Sequence, residues 1–448
     1  MLDQMFTAEN FRRIFDSENR KGINLAGRFF PSLESHTRSI REKIEEIRSL
    51  RSERSNYKPE EFVAQSDKLK EELKRLKSNK SKAINLQMES VSSKVRMSSF
   101  KLALTRKPGS KGKPVFCIDG TPETFFVIKQ LQHNIRKLYD VKQSNRHDLV
   151  CQLRDTVASA FPFILVRTDV SSFYESIDRK RLIDKLEEDQ RLSSSSKRFI
   201  RQVLASYGKI TKEANGIPRG VGISAYLAEF YMRPIDHEIK KIRGLILYCR
   251  FVDDIAAVFA RPHEGKPIGS YREAVLKALS EKGLTHNIQK TKEFVLSGPN
   301  NQEIEYLGYR FVLSNGKCAV LPSSAKIQKY EARMNAAFRE YEAQSSLHSR
   351  RAYRDLVSRI KFLTGNARLV NSKSSAVTGI YYNNPIVTDP SSFIHLDTLL
   401  KGKIDGIKRA TLRKRLKQYT FTQGFSERRF HNFSPKELQR IVRVWKHA

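Results

Sequence analysis

The chain holds only four cysteines in 448 residues, and none of them stands in a C-x-x-C pair. Cys117, Cys151, Cys249 and Cys318 lie far apart, a spacing that argues against a zinc ribbon and a disulfide framework and leaves buried thiols as the simplest reading. Tryptophan is rarer still, with Trp445 the single one, expected to hold a C-terminal helix in place. No apolar run approaches the roughly 18–20 residues that a bilayer-spanning helix needs. The start, "MLDQMFTAENFRRIF", lacks the basic-then-apolar layout of a secretory signal, which predicts a cytoplasmic protein. Internal repeats and extended low-complexity tracts are absent. Acidic residues are also scarce, 48 against 83 Lys plus Arg, so the formal net charge is +35. An excess of that size favours a polyanionic partner, because each neutralised phosphate releases counterions.

What is present suggests several segments. Residues 1–33 mix aromatics with charges and read as an N-terminal cap. From 34 to 105 the spacing predicts an antiparallel helical hairpin. Ser39-x-x-Glu42 has the capping-box interval, and Ile40, Ile44, Ile47 and Leu50 follow at helical intervals. Pro59 suits the first turn of the second helix, with Leu69, Leu73 and Leu76 resuming the stripe. The many bases on this hairpin fit a solvated face and an RNA contact equally well. "TRKPGSKGKP" (105–114) reads as a breaker-rich basic linker. Residues 106–320 then alternate short apolar runs with helical patterns, an α+β body. "FPFILV" predicts a buried strand and "DRKRLIDKLEEDQ" a helix with Leu182, Ile183 and Leu186 on one face. "SSSS" (193–196) and "RPHEGKPIGS" (261–270) read as loops. Residues 321–448 read as helical and basic, most densely at 401–419.

One stretch poses a chemical question. "CRFVDDIAAVFA" sets Asp253 and Asp254 side by side between apolar runs. In isolation that is a tight turn, where Asp satisfies the local backbone. But Asp169 closes the buried strand "FILVRTD" upstream, and a two-metal nucleotidyl transferase needs carboxylates from separate strands at one sheet edge. There they hold two cations, one activating a hydroxyl and one stabilising the leaving pyrophosphate. Tyr174 follows Asp169 at a distance that lets its ring press on the 2′ position of a sugar. Between these elements, "GIPRGVGISAYLAEFYM" supplies Gly216, Gly220 and Gly222 for close backbone approach to a nucleotide, then a helix face of Leu227, Phe230 and Tyr231. Lys290 in "THNIQKTK" can protonate a departing pyrophosphate. "EYLGYRF" (305–311) predicts a strand bent at Gly308. Each piece alone has a bland reading as turn, surface lysine or edge strand; their order carries the weight.

That order resembles the reverse transcriptases. "RTDVSSFYESI" is similar to their palm motif A, "GIPRGVGISAYLAEF" to motif B, "RFVDDI" to motif C, "THNIQKTK" to motif D and "EYLGYRF" to the primer grip of motif E. The resemblance covers about 145–315. It implies an α+β right-hand polymerase with fingers, palm and helical thumb, preceded by the helical hairpin. Metal binding by Asp169, Asp253 and Asp254, with Val170 beside them, is implied, using two Mg2+ ions with Mn2+ as an alternative. It places the proton donor at Lys290, sugar selection at Tyr174, and nucleotide or template contact at Arg146, Arg219 and Gly220. Tyr306 and Gly308 fall in the primer grip, and Arg413, Lys414, Arg415 and Lys417 would track duplex phosphates. The family's Pro-Gln-Gly is Pro218-Arg219-Gly220 here, which adds a charge near the phosphates, and its Ser-Pro is Ser224-Ala225. Phe251 stands where Tyr is usual.

"IPRGVGIS", "RIKFLTGNARL", "GIYYNNP" and the closing "GFSERRFHNFSPKELQRIVRVWK" are similar to bacterial defence-associated, abortive-infection and retron-type reverse transcriptases. The N-terminal segment is most similar to the smaller enzyme of class 3 defence systems. This resemblance implies dNTP substrates, a structured non-coding RNA as template and scaffold, nascent DNA, a second reverse transcriptase subunit and no membrane partner. Two other readings stand beside it: a catalytically idle palm that holds RNA, and a group II intron-type maturase. Three retained carboxylates oppose the first, because uncompensated like charges so close together are costly without cations.

Overall fold

The computed structural model describes residues 2–445 apart from 110–111, 160, 262–269, 297–300, 315–316 and 370–375. The 261–270 loop expectation therefore lies almost wholly outside the described residues. The chain forms two compact units that interleave in sequence, the first from residues 1–143, 171–237 and 278–285, the second from 144–170, 238–277 and 286–448.

The first unit is mainly helical. Of its N-terminal helices Ala8–Arg20 and Leu25–Phe29, the former packs on both Pro59–Arg96 and Pro122–Tyr139. Phe11, Phe15, Phe30 and Phe126 meet there, with Phe11 and Phe126 rings 5.5 Å apart and both side chains fully buried. Fully buried Asn134 donates to the Gln4 carbonyl and the Ser196 hydroxyl, both at 3.0 Å, which ties the N-terminus to the helix Ser194–Thr211.

The helical hairpin is present as Leu33–Ser52 and Pro59–Arg96, with Pro59 at the first helical position. It starts earlier than the capping-box spacing implies. Ser39 lies inside the first helix and its hydroxyl donates back to the Ser35 carbonyl at 3.2 Å, an option that short polar side chains have within helices as well as at caps. Lys43 bridges the two helices, with Glu46 at 2.7 Å on its own helix and Glu72 at 2.8 Å on the other.

Two loop expectations are corrected. The "TRKPGSKGKP" stretch begins inside β1 (Leu104–Lys107), which pairs antiparallel with β2 (Val115–Ile118) directly after it, so it connects two paired strands and does not link domains. "SSSS" is a helix start: Ser193 caps and the other three open the helix, because a serine hydroxyl satisfies a free N–H.

The second unit is built on a four-stranded antiparallel sheet in the order β4-β5-β3-β6, where β3 is Phe163–Asp169, β4 Leu245–Phe251, β5 Asp254–Ala260 and β6 Lys292–Leu296. Phe163, Ile164, Leu165 and Val166 are at most 1 % exposed, so both faces of β3 are covered and its apolar run is continuous rather than alternating. A second sheet carries β7 (Gln302–Tyr306), β8 (Tyr309–Ser314) and β9 (Lys317–Pro322). "EYLGYRF" is thus two strands joined by Leu307 and Gly308, not one bent strand. Helices Ser324–Ser345 and Ser349–Thr364 follow. The C-terminal part is not purely helical, since β10 (Asn366–Arg368), β11 (Val377–Gly379) and β12 (Phe430–His431) form a small sheet there. Trp445 is buried, and its indole N–H donates to the Arg333 carbonyl at 2.9 Å, the structural role expected of it. All four cysteines are free, Cys249 fully buried and the others partly so. Among the described residues, no helix is long and apolar enough to cross a membrane.

Candidate active site

Strand register brings the aspartates to one end of the first sheet. Asp169, the last residue of β3, is the Cα partner of Asp254, the first of β5. Val252 and Asp253 form the two-residue turn from β4 to β5, and the Val170 N–H donates to the Asp253 carbonyl at 3.1 Å. Val252 has a φ of 60°, unusual for a β-branched residue and an indication of strain held in place by its surroundings.

The Lys290 loop is tied to the same strand. The Asn287 N–H donates to the Asp169 carbonyl at 2.7 Å, while the Asn287 side-chain oxygen accepts from the Lys290 N–H at 3.3 Å. Buried hydroxyls of Thr168 and Thr291 meet at 2.8 Å. Lys290 Nζ then donates to Asp169 Oδ2 at 2.9 Å, with the lysine side chain about half exposed.

Asp254 is the electrostatically costly member. Its Oδ1 is buried with no hydrogen-bond partner, and the Arg167 Nε stands 3.6 Å away, too far for one. Burial pushes its carboxyl up to about 6; Asp169 and Asp253 push the same way, whereas Arg167 and Lys290 pull it down. Among the described residues no three His, Cys, Asp or Glu side chains converge as a ready metal-binding group. The donors nevertheless fit a hard divalent cation: three carboxylates on adjoining backbone segments, one oxygen of them unpartnered. Val170 is 1 % exposed, and only its main-chain carbonyl has the chemistry of a ligand.

Tyr174, Arg219 and Gly220 belong to the first unit. Arg219 forms a two-oxygen ion pair with Glu175, both contacts at 3.0 Å, and its guanidinium lies 5.3 Å from the Tyr174 ring centroid. The charge that Arg219 was expected to add near the phosphates is thus paired with Glu175. The motif B glycines sit in a close-packed turn. Gly216 has a φ of 94°, and a β-carbon there would stand 2.9 Å from the Tyr207 hydroxyl; at Gly220 it would overlap Val115. The β2 strand locks this turn, with the Phe116 N–H donating to the Arg219 carbonyl at 2.7 Å.

Tyr306, expected in the primer grip, packs beneath the Asp254 end of the sheet. It is fully buried, its hydroxyl donates to the Asp254 main-chain carbonyl at 3.4 Å, and burial raises its pKa far above the usual phenol range. Gly308 has a φ of 74° beside Leu307 at 45°. Arg146 belongs to the second unit and donates to the Leu307 carbonyl at 2.6 Å, so it braces the Leu307–Gly308 turn. Of the C-terminal bases, Arg413 turns back onto the Ile407 carbonyl at 2.6 Å and Lys417 pairs with Asp405 at 2.8 Å. Lys414 and Arg415 are exposed.

Residues 125–311 match the family model described as reverse transcriptase (RNA-dependent DNA polymerase). The match spans the aspartates, the Lys290 loop and the primer-grip hairpin. Residues 125–311 thus form a reverse transcriptase-like domain, on an α+β architecture compatible with the right-hand polymerase class. No curated protein matches. Solved structures similar to this chain include telomerase from Candida albicans in complex with a fragment of telomeric RNA, at 13% identity and a TM-score of 0.34, covering 80% of this chain and 65% of that one. Apo telomerase from Candida tropicalis is similar at 14% identity and a TM-score of 0.36, covering 77% and 63% respectively. A form of it truncated from the C-terminal domain gives 12% identity and a TM-score of 0.34, covering 50% and 55%. The chain thus spans between 55% and 65% of the length of these structures.

Proposed function

We propose that this protein polymerises deoxynucleotides on an RNA template by two-metal nucleotidyl transfer. The observation that carries the reading is the register that sets Asp169 opposite Asp254, with Asp253 in the adjoining turn. Asp169, Asp253 and Asp254, with the Val170 carbonyl, are the groups assigned to two Mg2+ ions. When bound, such cations lower the pKa of the attacking hydroxyl and neutralise charge on the leaving pyrophosphate. Arg167 and Lys290 partly offset the carboxylate charges when no cation is present. Lys290 is the chain's own proton donor at this end of the sheet, and Tyr174 is assigned the exclusion of a sugar 2′-hydroxyl. The proposed template is a structured non-coding RNA, and the setting antiphage defence in the bacterial cytoplasm alongside a second reverse transcriptase subunit. The sequence resemblance supports that setting.

The Lys290–Asp169 contact is the one observation that favours an idle, RNA-holding palm. The test is DNA synthesis by the full chain with its co-purified RNA, Mg2+ and labelled deoxynucleotides, beside Asp253→Asn/Asp254→Asn, with any product sequenced. A product that depends on the aspartates supports the polymerase, and its sequence identifies the template. No product from wild-type protein that retains RNA, with or without a co-expressed second subunit, supports the idle palm.

A further inference from the structure

A cavity of about 610 Å³ in the second unit is separate from the carboxylates and has a different chemistry. Arg146, Lys326, Lys329 and Arg333 line it together with His147 and the tyrosines 309, 330 and 382, and among the described residues no acidic one contributes to its wall. Two helices begin at its edge. Arg146–Val157 opens with Asn145 as its cap, and Ser324–Ser345 opens three residues before Lys326, counting from the Ser323 cap. Both starts add partial positive charge from free N–H groups.

Cations are crowded here without a counter-ion. Lys326 Nζ lies 3.9 Å from the Tyr309 ring centroid and donates to the Asn383 carbonyl at 3.0 Å. Burial, and then the neighbouring Arg146, push its pKa down to about 8. Arg333 Nε is buried with no hydrogen-bond partner. Such an arrangement is unfavourable unless an anion completes it. Tyr382, 40 % exposed, adds a flat aromatic surface at the same cavity. The volume falls within the range of about 300–1,000 Å³ typical of small-molecule sites.

We propose that this cavity binds a nucleoside 5′-phosphate, the phosphate held by Arg146, Lys326, Lys329 and Arg333 and the base stacked on Tyr382. The ligand is either a free nucleotide or the 5′-phosphorylated end of an RNA strand, which share this chemistry. The site does not use the aspartates, so it stands or falls separately from polymerase activity.

The test is equilibrium binding to the full chain in EDTA at 0.15 M salt, using AMP, adenosine, and a three-nucleotide RNA with or without a 5′-phosphate. Removal of the phosphate is expected to weaken binding at least tenfold. Lys329→Gln and Arg333→Gln should each weaken the phosphorylated probe about tenfold, and Tyr382→Ala several-fold, while Asp253→Asn/Asp254→Asn binds as wild type. Lys329 is exposed, so its variant tests the site without a folding risk. Equal binding of AMP and the phosphorylated RNA assigns a free-nucleotide site; a clear preference for the RNA assigns a strand end. Equal affinity with and without the phosphate, or binding that Lys329→Gln leaves unchanged, overturns the proposal.

Discussion

The Val252–Asp253 turn and the Leu307–Gly308 turn each join two antiparallel strands of the second unit with two residues. Each also puts a bulky aliphatic residue at positive φ, 60° for Val252 and 45° for Leu307. A left-handed conformation costs an L-residue about 1–2 kcal/mol, so neither persists on local preference. The first leads into three carboxylates. The second lies under the Arg146 guanidinium, which takes the Leu307 carbonyl and opens into a cationic cavity. The same strained backbone device thus presents opposite charges, and the side chains around it decide which. A hairpin signal in sequence locates such a turn but does not say what it is for.

Removing the acidic end should have the largest effect. Asp253→Asn/Asp254→Asn is expected to lower DNA synthesis by about a thousandfold or more, since cation binding supplies several kcal/mol of charge stabilisation. In EDTA, Asp254→Asn alone should instead raise the melting temperature by a few degrees, because it removes a buried carboxylate with an unpartnered oxygen. A lower melting temperature would show that Arg167 already compensates the charge.

Lys290→Ala comes next. Loss of a positioned proton donor is expected to slow single-turnover synthesis about 10²-fold, with partial recovery in Lys290→Arg if only the Asp169 contact matters.

At the basic end, the pH dependence has a defined sign. With its pKa lowered to about 8, Lys326 is charged at pH 7 and loses its proton as pH rises. A bound phosphate would restore the proton, so AMP affinity should be full below pH 8 and fall about tenfold toward pH 9.5. Tyr309, held up at about 12, and Tyr330, also raised, keep their protons across that range. The Lys326→Gln variant should give a flat profile.

The smallest effect tests the brace. Gly308→Ala places a β-carbon 2.9 Å from the Arg146 Nη2 at a φ of 74°, and should cost about 1–2 kcal/mol in urea unfolding. In an Arg146→Ala background the penalty should shrink toward the backbone part alone. An unchanged penalty would show that Arg146 yields freely and does not hold the turn.

The palm sheet was the most legible part of the sequence, because an uninterrupted apolar run such as 163–166 has few other homes and the aspartates stand at its ends. Boundaries were less legible where polar residues serve equally as loop or cap. Ser193–Ser196 opened a helix, and Ser39 lay inside one. Arg167 escaped notice although a charge inside a buried strand, two residues before Asp169, was a visible signal. Glu175 escaped because an ion pair with Arg219 joins residues far apart in the chain. The burial of Tyr306, expected in the primer grip, is not legible because a motif records residue type and not burial.

The sequence by itself determined the strand pattern, the order of the carboxylates and the large positive charge, since these follow from composition and from intervals along one strand or turn. Only the tertiary structure decided which charges are already paired, as with Arg219 and Lys417, and which have no carboxylate partner among the described residues, as with Lys326. Pairing depends on through-space distance and local desolvation, and neither is a property of spacing along the chain.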